Sequence, residues 1–244
     1  TMGWAVFGGT PKGKNQFHDI YKVSQVVPDW FLLRLPASVS RLLPDSELQA
    51  AQSQLSQDQY DQEYECSFDA AILGAFYGQE MRQAQDEGRI RELPFEPESP
   101  VYTAWDLGYR DDTAIWWYQV VRGEVRVMDY YAVSGASIEE IANAVNAKGY
   151  RYTRHYLPHD ARAKTLASGG KSIVEQLAAH LGGMSKLAIV PEIGIQDGIQ
   201  AVRMILPNCY FDSRCDEGLE ALRQYQREYD EDKKTFRQTP RHDW

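Results

Sequence analysis

Cysteine and long apolar runs are scarce in this sequence. The three cysteines, Cys66, Cys209 and Cys215, cannot all pair with one another and lack the spacing of a metal site, which favours a reducing compartment. The longest apolar runs, such as residues 114–118 and 187–191, are far shorter than the ~20 residues that cross a bilayer, and no charged-then-apolar leader opens the chain. We therefore expect a cytoplasmic protein rather than a membrane-spanning or secreted one.

A strongly basic balance is also absent. The 244 residues include 26 Lys and Arg against 35 Asp and Glu, which gives a formal net charge of −9. A uniformly basic surface for nucleic acid is therefore excluded, and any contact with DNA must come from local clusters. The hydrophobic share of 43% and the charged share of 25% are typical of folded domains, and the length predicts one large domain or two modest ones.

A proline-rich segment divides the chain. Pro94, Pro97 and Pro100 lie close together, where they disfavour both a helix and a central strand. We predict a domain boundary here, with one domain at residues 1–98 and a second at residues 99–244.

The first domain is predicted to be an incomplete part of a larger fold. Apolar runs predict strands at residues 4–7 and 30–35, with a helix around residues 17–21 between them. A Gln-rich stretch predicts a helix at residues 46–59, and residues 63–68 are predicted to be extended. These short elements make a poor independent core.

The second domain follows a clearer pattern. Runs rich in β-branched and aromatic residues predict strands at 101–107, 113–121 and 124–131, joined by turns as an antiparallel meander. Ser137 and Glu140 have the spacing of a capping box and predict the start of a helix. Strands and helices then alternate, with strands at 154–158, 187–190 and 208–211 and helices at about 172–181, 197–206 and 217–229. This order predicts an α/β fold whose mixed sheet has the ribonuclease H-like layout, flanked by helices.

Two segments resemble phosphate-binding loops. Residues 8–15 nearly match the G-x-x-x-x-G-K-[ST] pattern, but Asn15 replaces the hydroxyl residue and Pro11 removes a backbone N–H donor. Residues 165–172 keep the Lys-Ser end of the pattern but lack its leading glycine. We interpret both segments as glycine turns that lead into helices.

Asp106 and Asp160 are candidate metal ligands and catalytic residues. Asp106 ends the first strand of the second domain, in an apolar run, and a buried lone carboxylate is costly unless it is paired or bound to a metal. Asp160 follows the fourth strand, so adjacent first and fourth strands would bring both carboxylates to one end of the sheet. Oxygen ligands favour Mg²⁺ or Mn²⁺ over Zn²⁺. Taken singly, each aspartate also fits a turn former or a helix cap.

Other polar residues leave alternatives open. Asp111 and Asp112 fit the hairpin turn after the first strand, and Asp129 in the third strand could face either solvent or the site. His159 is interpreted either as a solvated residue or as an outer neighbour of the site around Asp160.

Basic residues gather around Asp160. Such clustering fits a binder of the phosphate backbone, although solvated loops also collect charges. The predicted DNA-binding residues are Arg162, Lys164 and Lys171, with Arg151 and Arg154 nearby and a further group at Lys233, Lys234, Arg237 and Arg241.

Several segments together resemble the large terminase subunit of tailed bacteriophages, a DNA-packaging motor with an ATPase front half and a ribonuclease H-like nuclease back half. Residues 105–114 resemble its first nuclease strand and hairpin, residues 158–161 its second acidic strand, and residues 195–203 a helix of the nuclease. Residues 9–17 resemble the segment that follows the catalytic strand of the ATPase, and residues 64–77 resemble the lid and linker.

The resemblance implies a metal-dependent endonuclease that cuts concatemeric DNA. In the family's pattern two Mg²⁺ or Mn²⁺ ions are bound, with Asp106 bridging both and Asp160 holding one. The third carboxylate of the family lies in a His-x-x-Asp sequence, so either Asp243 or a residue beyond Trp244 is expected to supply it.

The resemblance also places the Walker A and Walker B segments ahead of residue 1. Residues 1–98 are then the C-terminal part of the packaging ATPase with its lid and linker, and ATP is a ligand of the full-length protein only. The implied partners are double-stranded DNA, the portal protein and the small terminase subunit. A homo-oligomeric ring on the portal in the host cytoplasm is expected, without a membrane.

Two alternatives stay open. The chain could be a catalytically incomplete module that docks on DNA or on the portal. It could also be another ribonuclease H-like nuclease, such as a resolvase, which would leave residues 1–100 unexplained.

Overall fold

The computed structural model describes residues 3–13, 16–68, 74–108, 112–164, 170–230 and 235–241. Two compact units share the chain. One contains Thr1–Gln79 and Glu220–Arg241, and the other contains Glu80–Leu219. The predicted assignment of domains to residues 1–98 and 99–244 stays a prediction.

The unit Glu80–Leu219 is built on a six-stranded mixed sheet of order β5-β4-β1-β2-β3-β6. Strands β1, β2 and β3 form the predicted antiparallel meander, and β4, β5 and β6 join it in parallel pairings. The adjacency of the first and fourth strands is thus confirmed. The strands are β1 Val101–Asp106, β2 Thr113–Val121, β3 Glu124–Val133, β4 Tyr152–Leu157, β5 Leu187–Ile189 and β6 Cys209–Phe211.

Helices α6 (Ile138–Ala147) and α7 (Ile173–His180) cover one face of this sheet. Because successive side chains of a strand point to opposite faces, the alternating apolar residues of β1 and β2 form a core with the helices. The buried members of this core are Val101, Trp105, Ile115, Trp117, Met128, Ile141, Ala142, Val145, Leu157, Ala161, Val174, Leu177 and Leu181. The predicted capping box of Ser137 and Glu140 begins α6, and Ser172 with Glu175 forms another at the start of α7.

The opposite face of the sheet meets the start of helix α9 (Asp216–Gln224). Trp116 and Tyr130 point to this face, and their rings are tilted against each other with centroids 4.5 Å apart. Gly218 lies directly against both rings, so that a Cβ atom at this position would overlap them. A residue without a side chain is therefore required for α9 to approach the sheet this closely.

The proline-rich segment is an ordered part of this unit. The side chain of Gln119, fully buried in β2, accepts a hydrogen bond from the backbone N–H of Glu96 and donates to the carbonyls of Glu96 and Ser99, at 2.8 to 3.1 Å. The N–H of Leu93 donates to the buried carboxylate of Asp212 at 2.8 Å. Prolines exclude this segment from the sheet, yet neighbouring backbone groups bind it to the sheet.

The other unit is mainly helical. Its helices are α1 Gln16–Val26, α2 Ala37–Ser40, α3 Asp45–Gln54 and α4 Gln57–Glu63, and α5 Gly78–Asp86 begins at its end. The strands predicted at residues 4–7 and 30–35 are wrong, because these residues form no ladder and many of their apolar side chains are exposed. Residues 63–68, predicted to be extended, form no strand either, and Glu63 is the last residue of α4.

Two predicted helices end earlier than expected. The helix predicted at residues 46–59 breaks after Gln54, because Ser56 caps a second helix, α4, through a capping box with Gln59. The helix predicted at residues 217–229 ends at Gln224, and the chain continues as an antiparallel pair of strands, β7 (Arg227–Asp230) and β8 (Thr235–Pro240). None of the helices in the described part of the chain is long and apolar enough to cross a membrane.

The close approach at Gly218 yields a stability prediction. We expect Gly218→Ala to lower the free energy of unfolding by about 1–3 kcal/mol, because overpacking costs that much and outweighs the ~1 kcal/mol by which alanine is the better helix former. The measurement is chemical denaturation of both proteins.

Gly198 provides the matched control, since it also lies inside a helix, α8 (Ile195–Ile205). A Cβ atom there would meet only Ile193 Cδ1, at an ordinary contact distance of 3.6 Å. Gly198→Ala should therefore leave stability unchanged or raise it by up to about 1 kcal/mol. Equal effects of the two substitutions would contradict the packing assigned to Gly218.

Candidate functional site

The parallel pairing of β1 with β4 brings the two predicted carboxylates to one edge of the sheet. Ala104 is paired with Tyr156, so Asp106 at the end of β1 is level with the residues that follow β4. Asp160 lies three residues past the end of β4, in the 3-10 turn His159–Arg162. Both residues therefore belong to the same edge, as the sequence predicted, because the ends of adjacent parallel strands coincide.

The turn that carries Asp160 is anchored to the hydrophobic core by a buried side chain. Ala161 is fully buried in the core, whereas His159 and Asp160, the two residues that precede it, are exposed. Nε2 of His159 lies 3.9 Å from the carboxylate of Glu192, in the loop that follows β5. Since β5 runs parallel to β4, Glu192 belongs to the same edge as Asp160.

Asp106 is exposed, so the burial expected from its apolar run is wrong. Because it alternates with buried Trp105, it points to the face of the sheet that carries Tyr130. The pKa of Tyr130 is raised to about 12, first by burial and then, in decreasing order, by the negative charges of Glu217, Asp112 and Asp106. These three acids therefore lie around one phenol, which stays protonated and neutral at ordinary pH. The predicted turn residue Asp112 is thus a neighbour of Asp106, and its partner in that interpretation, Asp111, lies outside the described residues.

Glu217 is the residue that sequence reasoning missed. It stands in the first turn of α9, where an acidic side chain is ordinary because it complements the helix dipole. Its proximity to the site arises from the approach of α9 to Trp116 and Tyr130 at Gly218. The neighbouring Gly218 was the available signal, but a glycine in a helix does not reveal which surface it meets.

Asp129, for which two orientations were open, does not join the site. Its side chain is buried on the helical face of the sheet, where the ammonium of Lys148 contacts it at 2.7 Å. The same ammonium lies 5.5 Å from the centre of the Trp117 ring. Asp129 is therefore a paired core carboxylate on the face opposite Asp106.

Three of the predicted DNA-binding residues converge beside Asp160. Lys164 pairs with Ser172 through an isolated antiparallel bridge, which places it next to Lys171. Hydrogen bonds from the Ser172 backbone and side chain lower the pKa of Glu175, and the charges of Lys164 and Lys171 lower it further. A cavity of about 380 Å³ adjoins this region and is lined by Arg162, Ser172, Val174, Glu175, Met184, Leu187 and Ile189.

The other predicted basic residues are placed differently. Arg151 and Arg154 are exposed near the start of β4, at or toward the sheet edge opposite Asp160. Arg237 donates hydrogen bonds to the carboxylates of Glu228 and Asp230, in the other unit of the chain. Its charge is therefore largely neutralised by its own hairpin.

Several predicted features lie outside the described residues. They are Lys233, Lys234 and Asp243, together with parts of both phosphate-loop segments, residues 14–15 and 165–169. The remaining part of the second segment forms the start of α7, with Ser172 as its cap.

The donor chemistry of this edge fits a hard divalent cation. Asp106, Asp160, Asp112 and Glu217 offer carboxylate oxygens, the ligands that Mg²⁺ and Mn²⁺ prefer. Within the ranges described above, however, no group of three or more His, Cys, Asp or Glu residues is arranged to hold a metal ion. The carboxylates fit this class of cation by their chemistry.

A buried histidine in β4 contacts a threonine in β1, and both strands end at this edge. His155 of β4 is fully buried, and its Nδ1 is 2.7 Å from Oγ1 of Thr103 in β1. Burial, with a smaller contribution from Lys186, lowers the pKa of His155 to about 4. The imidazole is therefore neutral in the folded protein at neutral pH.

Comparisons with known proteins agree with this architecture. Residues 103–237 match the family model described as Terminase RNaseH-like domain. No curated protein matches the chain significantly.

Among solved structures, the large terminase of a thermophilic bacteriophage in complex with ATP-gamma-S aligns with a TM-score of 0.51 at 12% identity, covering 96% of this chain and 58% of its own. The nuclease domain of the P22 large terminase aligns with a TM-score of 0.46 at 20% identity. The alignment covers 63% of this chain and 81% of the P22 chain. The large terminase nuclease of the thermophilic phage G20c, with bound cobalt, aligns with a TM-score of 0.47 at 14% identity. The alignment covers 70% of this chain and 88% of the G20c chain.

The mixed sheet with its flanking helices and its acidic edge defines a ribonuclease H-like nuclease fold. The match to the family model extends over more than half of the chain and includes both predicted carboxylates. The chain belongs to the terminase ribonuclease H-like domain family. It spans little more than half the length of the thermophilic phage's large terminase.

The neutral state of His155 yields a prediction of pH dependence. Its folded pKa of about 4 is below the unfolded value of 6.5, so its contribution to stability is complete above pH 6.5 and is lost as the pH falls toward 4. This loss amounts to about 3 kcal/mol at most, from ~1.36 kcal/mol for each pH unit. We expect His155→Gln to remove this part of the pH dependence, measured by denaturant unfolding from pH 7 to pH 4.

The control is Ile141→Val in the same core, which lowers stability by roughly 0.5–1.5 kcal/mol at every pH without removing a titrating group. Its pH profile should run parallel to that of the unmodified chain. An unchanged slope in His155→Gln would mean that the imidazole does not become buried and neutral on folding.

Proposed function

We propose that this chain contains the nuclease of a bacteriophage large terminase subunit, which hydrolyses the phosphodiester backbone of double-stranded DNA with divalent cations. The observation that carries the proposal is the position of Asp106 and Asp160 at the ends of adjacent parallel strands, within a chain of the terminase ribonuclease H-like family. Three solved large terminase nuclease structures contain bound cobalt, magnesium or manganese, which supports the choice of cation.

Asp106 and Asp160 are the proposed ligands and catalytic residues. Two bound Mg²⁺ or Mn²⁺ ions would supply activation of water and stabilisation of the leaving oxygen. Both carboxylates are held by regular backbone, since Asp106 ends β1 and the turn carrying Asp160 is anchored by buried Ala161. This rigidity is what catalysis by positioning requires, because loss of either ligand removes both charge and geometry.

The cluster of Arg162, Lys164 and Lys171 is the proposed contact for the DNA backbone. All three are exposed, and they adjoin the turn of Asp160. Lysine and arginine bind phosphate oxygens without regard to base sequence, so this cluster would hold the strand near the carboxylates.

The proposed role of residues 1–98 is that of the C-terminal part of a packaging ATPase with its lid and linker. The likeness of fold between nearly the whole chain and a large terminase in complex with ATP-gamma-S supports this assignment. In the whole protein we expect ATP binding by preceding segments. Concatemeric DNA, the portal protein and the small terminase subunit are the expected partners, in a ring on the portal in the host cytoplasm.

One observation favours a second candidate, a nuclease-fold module that docks on DNA or on the portal without chemistry of its own. The residues that the structure describes do not bring three metal-ligating side chains together. The two candidates differ in whether the chain binds divalent cations.

The first test replaces the carboxylates without changing their size. We expect Asp106→Asn and Asp160→Asn each to reduce Mn²⁺-dependent cleavage of plasmid DNA by at least about 100-fold, because removing one charge-stabilising group at a catalytic site costs about 10²–10³. Isothermal calorimetry with Mn²⁺ should give weaker or absent binding in both variants.

Glu139→Gln is the matched control, since Glu139 is an exposed acid in the first turn of α6. It should retain cleavage and Mn²⁺ binding. Absence of saturable Mn²⁺ binding to the unmodified chain would favour the docking module, and full cleavage by Asp106→Asn would remove that residue from the mechanism.

The second test concerns the basic cluster. We expect Lys164→Ala and Lys171→Ala each to weaken DNA binding for all sequences alike and to reduce the slope of log affinity against log salt by about 1. Fluorescence anisotropy with labelled duplexes at several salt concentrations measures both quantities.

Arg151→Ala serves as the comparison, because Arg151 is an exposed cation just before β4, beyond the opposite end of that strand from Asp160. Its affinity and salt slope should equal those of the unmodified chain. A loss in Arg151→Ala as large as in Lys164→Ala would mean that charge alone, and not its placement, governs binding.

A further inference from the structure

A chain of buried polar side chains links the two strands that carry the proposed metal ligands. The indole Nε1–H of Trp105 donates to Oγ1 of Thr103 at 2.6 Å, and the same oxygen is 2.7 Å from Nδ1 of His155. Thr103 and His155 are completely buried, and Trp105 is nearly so. Trp105 immediately precedes Asp106, and His155 stands five positions before Asp160.

This polar arrangement is less favourable in free energy than an apolar filling of the same space. The second ring nitrogen of His155, Nε2, is buried and has no hydrogen-bond partner within the described part of the chain. A buried polar atom without a partner is unfavourable, whereas an apolar pair of similar shape would fill the same space without that cost. Stability alone therefore does not account for the presence of Thr103 and His155.

The pairing of β1 with β4 contains an irregularity that gives the polar link a role. Val101 is paired with Tyr152, but the next residue, Tyr102, is paired with Arg154, so Thr153 is an extra residue in β4. Without this bulge, β4 would be displaced by one residue along β1. Such a displacement moves the end of the strand by ~3.3 Å and turns each side chain to the other face of the sheet.

The hydrogen bond between Thr103 and His155 can form in only one of these registers. In the observed register both side chains point into the helical face, beside Trp105 and Tyr152. In the displaced register His155 would face the opposite side of the sheet, and Thr103 would lose its partner. The polar link therefore distinguishes the two pairings, in addition to the alternation of buried and exposed side chains along the strands.

We propose that Thr103 and His155 are positioning residues, whose hydrogen bond fixes the register of β1 against β4 and thereby the separation of the Asp106 and Asp160 carboxylates. This inference rests on the proposed function, because it concerns the same two ligands. Trp105 contributes by orienting the Thr103 hydroxyl from the residue next to Asp106.

The hydrogen bond is tested with Thr103→Val in the full chain. This substitution keeps the shape of the side chain and removes its hydroxyl. We expect the affinity for Mn²⁺, measured by isothermal calorimetry, to fall by about 10–100-fold, the range found when outer partners of metal ligands are lost. The turnover rate should fall with it, while the KM for DNA stays within about twofold because the basic cluster is untouched. Thr103→Ser, which restores the hydroxyl, should recover most of the Mn²⁺ affinity.

Ile141→Val is the control for a purely structural effect, since it truncates a side chain of the same core and leaves both strands intact. Its Mn²⁺ affinity should equal that of the unmodified chain. Equal Mn²⁺ affinity in Thr103→Val and the unmodified chain would overturn the inference while leaving the proposed function in place. Absence of Mn²⁺ binding to the unmodified chain would instead defeat the proposed function.

The inference can still be tested if the first variant does not fold. If Thr103→Val is unfolded by circular dichroism, His155→Gln is measured against the same 10-fold threshold. If neither variant folds, the pair is a determinant of stability rather than of ligand separation, and the proposal is overturned.

Discussion

The parallel pairing of β1 with β4 is the constraint on which the rest of the site depends. Asp106 and Asp160 are distant in the chain, and only this pairing places the ends of their strands at one edge of the sheet. Few residue pairs form the ladder, and one bulge interrupts it, so the backbone hydrogen bonds leave the register weakly determined. The core on the helical face, together with the link between Thr103 and His155, supplies the additional specificity.

The nuclease-like sheet could be predicted from the sequence because its signals are local. Alternating apolar residues in β2 and the capping box of Ser137 and Glu140 each lie within a few residues of one another, and the structure confirms them. Adjacency of the first and fourth strands was a condition taken from the ribonuclease H-like layout, which the order of the elements indicated, and the structure meets it. The roles of Asp106 and Asp160 in binding metal remain predictions.

The wrong or missing predictions also have specific physical causes. An apolar run such as residues 30–35 is compatible with a strand, yet the run alone does not supply a neighbouring strand, and here no ladder forms. The break at Ser56 is a second capping box within a polar stretch, where the weak apolar pattern could not separate two helices. Glu217 was missed because its proximity to Tyr130 depends on how closely α9 packs at Gly218. Such long-range packing leaves no signal in the residues around Glu217.

The charges at the sheet edge explain why a divalent cation and a separate basic cluster would both be needed under the proposed function. Asp106, Asp112 and Glu217 surround Tyr130 and create a negative potential, which repels a phosphate. Bound divalent cations reverse that sign locally and permit a phosphodiester to approach the carboxylates. Lys164 and Lys171 lie beyond the turn of Asp160, where they would attract the backbone without neutralising the proposed ligands. Under the proposed function, the separation of acids from bases along this edge would let an acidic protein hold both cations and an anionic polymer at neighbouring positions.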